Sequence, residues 1–401
     1  MKLYFLIIFF LAFAYPQSEI KISLDIKNNK AIDWWSKYNN NGIAFKKNSI
    51  YSSYNKQINN SKIFLSLHAS TKQILIGESY FSQNISKESV IKLGRYYRDF
   101  SKYLNDDLSS GSMLISNNAQ PLPKLGFVGG YQLKKNNKVS FNYGVSHALL
   151  GTNSAYNKSP YIHGKFIYVN SKKDDREFGI GFVHEAIWGG SSSLTGKFPS
   201  TFNDFLKVII SADGKKIEGQ PHANALGNHL GIWDFYYIKN FKINSFKIYY
   251  QHLFEDTSGL RFANRLDGLW GIEYQDFSRK INFLLEFVNT SNQNRNPPYV
   301  DEGYYNHSEY TLGWSYKGYV IGNPFLNNST PNPSKVVHFG MNSFENNKYP
   351  FKVLLSRKVD INDSLKYSIN FGKNFDDFLF LLFINKEEEK KNMGIKISYN
   401  L

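Results

Sequence analysis

Cysteine is absent from the sequence. Its absence excludes a disulfide framework, a thiolate metal site and an acylated lipoprotein anchor. Long apolar runs are also lacking. Beyond the first residues the longest, Phe378 to Ile384, falls far short of the ~20 residues that a spanning helix needs. No Pro/Ser-rich linker and no shift in composition divides the chain into separate domains. Acidic residues are in deficit, with 33 Asp and Glu against 48 Lys and Arg, for a formal net charge of +15. The lysines are scattered rather than clustered, which does not suit nucleic acid. A diffuse positive field instead concentrates anionic lipopolysaccharide or an acidic surface polysaccharide.

What is present points to export. Lys2 opens a short positive region, Leu3 to Phe13 form an apolar stretch, and Ala12-Phe13-Ala14 has the small-x-small pattern of a cleavage site. This predicts a signal peptide over 1–14 and a mature chain from Tyr15. Aromatic residues make up 17% of the sequence, while its mean hydropathy is −0.42. A chain polar on average, rich in aromatics and exported fits a membrane barrel with a wet inside and a lipid-facing outside.

Period-2 alternation supports this. Val139, Phe141, Tyr143 and Val145 share one face while Ser140, Asn142, Gly144 and Ser146 share the other. Ile281, Phe283, Leu285 and Phe287 oppose Asn282 and Glu286; Leu365, Tyr367, Ile369 and Phe371 oppose Lys366, Ser368 and Asn370. Met393, Ile395, Ile397, Tyr399 and Leu401 oppose Gly394, Lys396, Ser398 and Asn400. Segments of about 9–11 alternating residues are long enough to cross the hydrocarbon layer as tilted strands.

A soluble sandwich also alternates, so the connections decide. Long loops at 189–229, 255–267 and 290–307 interleave with short ones at 239–244, 277–280 and 317–318. Long loops outside and short turns in the periplasm are the asymmetry of outer-membrane barrels. Strands near 319–326 and 335–343 continue the count. The expected fold is an all-β, antiparallel transmembrane barrel of about 18 strands over 62–401, with both termini in the periplasm. Residues 15–61 show no barrel alternation in this reading and are expected to form a periplasmic extension or partial plug. Within them Asp33, Trp34, Trp35 and Tyr38 suit a short helix that breaks at Gly42.

The densest polar and aromatic patch lies between His184 and Glu286. His184-Glu185 begins like a zinc-protease helix, but Trp188 stands where the second histidine is required. Alternation also puts His184 with Phe178, Ile180 and Phe182, and Glu185 on the other, lumenal face. Ser146-His147 is adjacent in a strand, so the two side chains point apart and cannot form a nucleophile–base pair. No metal site, cofactor or enzyme activity is expected. A carbohydrate site needs aromatic faces for sugar C–H surfaces and carboxylates or amides for hydroxyls. Glu185, Trp188, His229, Trp233, Asp234, Gln251, Glu255, Asp256, Arg261, Asp267, Trp270 and Glu273 supply those residue types. Trp188 and Trp270 have a competing role as interfacial belt residues, and buried acids such as Glu185, Glu273 and Glu286 can instead stabilise a filled interior.

The patch and its surroundings resemble the capsule assembly protein Wzi family in its Bacteroidetes-type form. The carrying segments are Ser109-Ser110-Gly111-Ser112-Met113, Asn118 to Pro123, His184 to Gly190, Ala225 to Phe235, Gln251 to Gly259 and Asp267 to Glu273. Tyr304-Tyr305-Asn306-His307, Gly313 to Tyr316 and Ile321 to Phe325 complete them. The resemblance implies an eighteen-stranded outer-membrane barrel with a periplasmic helical plug. It also implies a lectin-like protein that holds capsular polysaccharide or exopolysaccharide at the cell surface and contributes to capsule assembly. The N-terminal segment is short for a full helical bundle, so a reduced plug is expected. The partners expected are the surface glycan and outer-membrane lipid, including lipopolysaccharide, with the chain a monomer. The rival reading is a porin or glycan-uptake channel.

Overall fold

A computed structural model describes residues 18–28, 32–46, 48–133, 138–214, 225–293, 303–328, 333–344, 346–361 and 363–400. The expected signal peptide over 1–14 lies outside the described residues. Eighteen strands form one continuous antiparallel sheet. In chain order the first six are β1 Ser18–Asn28, β2 Ser49–Ile58, β3 Ser61–Ser70, β4 Ile74–Asn84, β5 Ser89–Arg95 and β6 Pro123–Gln132. The next six are β7 Val139–Leu149, β8 Tyr161–Lys173, β9 Arg176–Trp188, β10 Asn228–Asn240, β11 Asn244–Phe254 and β12 Gly268–Asp276. The last six are β13 Ile281–Asn289, β14 Lys335–Ser343, β15 Phe351–Lys358, β16 Lys366–Phe375, β17 Phe378–Glu387 and β18 Lys390–Asn400. Each strand pairs with its sequence neighbours, and β1 pairs with both β2 and β18. That last pairing, Leu24 against Ile397, closes the barrel and removes its edges.

The alternation does what a two-sided wall requires. Leu24, Ile26, Leu125, Val145, Ile167, Ile272, Ile369 and Leu382 point outward and are exposed. In water such a continuous apolar surface would aggregate, whereas in a bilayer it faces lipid. No helix among the described residues is long and apolar enough to cross a membrane, so the strands make the crossing. The inward positions are Ser23, Ser52, Ser66, Asp234, Gln251, Asn282, Glu286 and Ser398, all buried. At Gly181 an added Cβ would stand 2.2 Å from the Tyr168 ring. The missing side chain there lets that tyrosine lie against the inner wall.

The connections 59–60, 85–88, 133–138, 174–175, 241–243, 277–280, 344–350 and 376–377 gather at one end, together with both ends of the described chain. Asn59, Asp174 and Asp376 adopt left-handed backbone there, as tight hairpin turns demand. The other end carries the long connections 29–48, 96–122, 150–160, 189–227, 255–267 and 290–334. The same end also has the short connections 71–73, 359–365 and 388–389, so all six long connections lie at one end but that end is not uniformly long.

Two boundaries differ from the sequence reading. Residues 15–61 are not an extension, because β1 and β2 lie within them and are wall strands. Only the stretch between them is free to leave the wall. It carries α1, Trp34–Lys37, capped by Asp33, whose side chain accepts the Ser36 N–H. The strand expected at 319–326 and the one implied before 317–318 are not in the wall either. Ser315–Tyr316 and Tyr319–Val320 form a small separate hairpin, with Ser315, Tyr316 and Val320 buried. Two strands gained and two lost leave the count at eighteen.

Candidate functional site

Three of the long connections turn into the barrel. Residues 96–122 supply the centre of this filling, with 303–328 on one side and 32–46 on another. Five successive wall strands each present one polar side chain that holds it. On β10, Asp234 accepts from Ser101 Oγ at 2.5 Å, from Tyr168 Oη at 2.6 Å and from Tyr103 Oη. On β11, Gln251 Oε1 accepts from the Met113 N–H at 2.9 Å while its Nε2 donates to Ser101 Oγ at 3.0 Å. On β12, Glu273 accepts from Asn105 Nδ2 at 2.9 Å and from Lys247 Nζ at 2.6 Å. On β13, Glu286 accepts from Ser109 Oγ and the Ser110 N–H, both at 2.6 Å, and from Tyr249 Oη at 2.5 Å. On β14, His338 bonds the Leu108 carbonyl through Nε2 at 2.6 Å. Charged acceptors of this kind make the stronger class of hydrogen bond.

The filling is bound to itself as well. Trp314 Nε1 donates to the Leu114 carbonyl at 2.7 Å, and Tyr305 Oη to the Met113 carbonyl at 2.5 Å. Asn118 Nδ2 donates to the Val320 carbonyl at 2.8 Å, and Asn39 Nδ2 to the Ser110 carbonyl at 2.8 Å. Trp34 stacks on Phe325 with ring centroids 4.6 Å apart. Leu108, Met113, Leu114 and Trp314 have no solvent exposure at all. Burial, then Asp234, raise the Tyr103 phenol well above its ordinary pKa and keep it a donor. Burial pushes the Asp107 carboxyl up, but Lys352 Nζ at 2.5 Å and Asn342 offset this and hold it below the usual carboxylate range. A polar cavity of about 430 Å³ remains between filling and wall, lined by Asp25, Lys27, Asn39, Lys352, Asn385 and Lys396. The interior is therefore occupied by the chain's own loops, inserted from the long-loop end, and not by an N-terminal helical bundle.

The residues singled out from the sequence divide into three groups. Glu185, Asp234, Gln251 and Glu273 point inward and are buried. The last three hold the filling, and Glu185 sits against Gly164 within electrostatic reach of Lys124. Trp188, His229, Trp233 and Trp270 point outward near the long-loop end. Trp188 stacks on Phe205 of α2, Phe202–Ile209, with centroids 5.0 Å apart. His229 Nδ1 lies 2.9 Å from His184 Nε2. Trp233 Nε1 donates to the Leu260 carbonyl at 3.2 Å, and Trp270 stacks on Tyr250 at 3.8 Å. The third group is on the loops. Asp267 is fully buried and joins two of them, accepting from Tyr304 Oη and from the Asn292 N–H, each at 2.6 Å. Asp256 and Arg261 are exposed and Glu255 half-buried. These residues do not converge on one pocket.

His184 and Glu185 face opposite sides of β9, as do Ser146 and His147 on β7, so neither pair can act on one substrate. Among the described residues no group of three His, Asp or Glu could hold a metal ion. Sequence reasoning missed Tyr168 and His338 as holders of the filling and Ser101 as the residue of it that Asp234, Gln251 and Tyr168 hold. Ser109 to Met113 carried a signal only through the family resemblance.

Residues 49–331 match the family described as capsule assembly protein Wzi. No curated protein matches the chain. Among solved structures, a mutant porin of Rh. blastica is similar over 96% of this chain and 98% of its own, at 8% identity and a TM-score of 0.41. The outer membrane channel DcaP of Acinetobacter baumannii is similar over 96% of each chain, at 9% identity and a TM-score of 0.41.

Proposed function

Because the chain belongs to the capsule assembly protein Wzi family, we propose that this outer-membrane barrel binds and retains surface polysaccharide on its long-loop end, without passing it through the wall. One observation carries the reading. Asp234, Gln251, Glu273 and Glu286, the lumenal groups best suited to sugar hydroxyls, are already engaged by residues 96–122. A glycan therefore meets loops 189–227, 255–267 and 303–328, where Asp256 and Arg261 are exposed. In this reading the long loops are extracellular and the short turns and both termini periplasmic. The role is non-enzymatic, and the barrel acts as a monomer. Glu185, Gln251 and Glu273 support the loop platform from below, while Asp267 ties two of its loops together.

The test is a deletion strain in which cell-bound and released polysaccharide are measured side by side. Release into the medium with unchanged total synthesis is expected, and a full cell-bound layer would refute the proposal. Restoring the gene with Asp256→Ala and Arg261→Ala together is expected to leave the barrel folded while the released fraction rises severalfold. Planar-bilayer recording separates the rival channel reading: a filled barrel is nearly silent, whereas a porin gives steady open steps.

A further inference from the structure

Residues 201–211 of the 189–227 connection lie against the outside of the wall. Its helix α2 has a complete capping box: Thr201 Oγ1 accepts the Asp204 N–H, and Asp204 Oδ2 accepts the Thr201 N–H. At the other end Lys165, which points outward from β8, donates to the Ile209 carbonyl. The helix is thus fixed to the lipid-facing surface by Lys165 at its C-terminal end and by the stack of Phe205 on Trp188. Phe205 and Val208 turn toward the wall. Leu206 and Ile210 turn away and are 45% and 74% exposed, while Phe202, 73% exposed, borders the space between helix and wall.

Between helix and wall runs a groove of about 610 Å³, lined by Leu125, Phe127, Val145, Trp188, Phe202 and Phe205. It opens directly onto the outward belt, since Leu125 and Val145 belong to both. An apolar groove continuous with the hydrocarbon layer suits an acyl chain. Lys197 and Lys207, carried by the same loop, are exposed and available to anionic groups beside it.

We infer that this groove is a binding site for one acyl chain of an outer-leaflet phosphorylated glycolipid of the lipopolysaccharide type, whose anionic groups meet Lys197 and Lys207. The leaflet assignment rests on the proposed outward orientation of the long loops. The site ties the 189–227 loop to the membrane surface by one ordered lipid, distinct from the exchanging lipid around the rest of the wall.

The experiment uses the full barrel in nanodiscs that contain both lipopolysaccharide and phosphatidylethanolamine, transferred to detergent and weighed by native mass spectrometry. One glycolipid retained per barrel is expected. Val145→Trp fills the groove from an already exposed position and is expected to lower retention at least tenfold. Ile369→Trp adds the same bulk on a distant part of the belt and is expected to change nothing. Lys197→Gln with Lys207→Gln, which removes the two exposed charges beside the groove, is expected to lower retention severalfold. Absence of any retained lipid, equal retention by Val145→Trp, or retention of phosphatidylethanolamine alone would each overturn the assignment. Cells carrying Val145→Trp should still keep their polysaccharide, so failure of this site and failure of the glycan-binding reading give different results.

Discussion

The carboxylate of Glu286 accepts the backbone N–H of Ser110 at 2.6 Å, across 176 residues of chain. Few contacts state the design of this barrel so directly: a wall strand holds the main chain of an inserted loop through a buried charge. Glu286→Ala leaves the Ser110 N–H, Ser109 Oγ and Tyr249 Oη without their acceptor. The loss is expected to be on the order of 3 kcal/mol, since each abandoned buried donor costs about 1–3 kcal/mol. Lower thermal stability and the appearance of brief conductance steps in planar bilayers are expected together. A variant that stays silent with unchanged stability would show that this anchor is dispensable.

Asp234 gathers Ser101, Tyr103 and Tyr168 onto one carboxylate. Asp234→Asn and Tyr168→Phe should therefore not be additive. A double-mutant cycle in urea is expected to give a coupling of about 1–2 kcal/mol, the range for neighbours in one hydrogen-bonded network. Additive values would mean that the two act independently.

Acid should loosen the loop face. His307 Nδ1 accepts the N–H groups of Glu309 and Tyr310, both at 3.2 Å, and only an unprotonated nitrogen can do so. Burial, with His229 nearby adding to it, pushes the His307 pKa down from 6.5 to about 4. The unfolded loop thus binds a proton that the folded loop excludes. The stabilisation is complete above about pH 6.5 and is lost as pH falls toward 4. Hydrogen exchange over 303–328 is expected to speed up across that interval, and His307→Gln, which keeps an acceptor, to flatten the change. Constant protection from pH 7 to 4 would contradict this.

Deleting residues 18–28 should abolish the barrel rather than shorten it. β1 is bonded on both sides, to β2 and β18, so its loss leaves two unpaired edges in hydrocarbon, where each unsatisfied backbone group costs several kcal/mol. Outer-membrane fractions of the deletion strain are expected to lack the heat-modifiable band of a closed barrel. Its persistence would mean that β2 and β18 can close on each other.

Most of the wall could be read from sequence because it obeys a local rule. Ile281, Phe283, Leu285 and Phe287 are lipid-facing while Asn282 and Glu286 point in. β1 obeys the same rule, with Ile20, Ile22, Leu24 and Ile26 opposing Lys21, Ser23, Asp25 and Lys27. Yet its partner β18 lies at the far end of the chain, and nothing local announces that pairing. The region 314–326 misled for the opposite reason. Trp314, Ser315 and Tyr316 have strand-forming character, but all three are buried, so the hairpin is enclosed and has no lipid side. At the site, the inward direction of Glu185 followed from parity, and Asp234, Gln251 and Glu273 are buried on the same lumenal face. Their occupation could not be read this way, because an acid awaiting a sugar and an acid holding a serine look alike until residues 96–122 are seen to enter the barrel.

The closure of β1 on β18 also sets an order of events. Residues 32–46, 96–122 and 303–328 are threaded inside a ring whose first and last strands must meet across the whole chain. Once that seam zips, the inserted segments can leave only through the mouth, and they can be placed sideways only before it. Closure thus changes the route of filling: while the sheet is open the contents can be placed from the side, and a chain that closes empty must fill itself through its long-loop mouth.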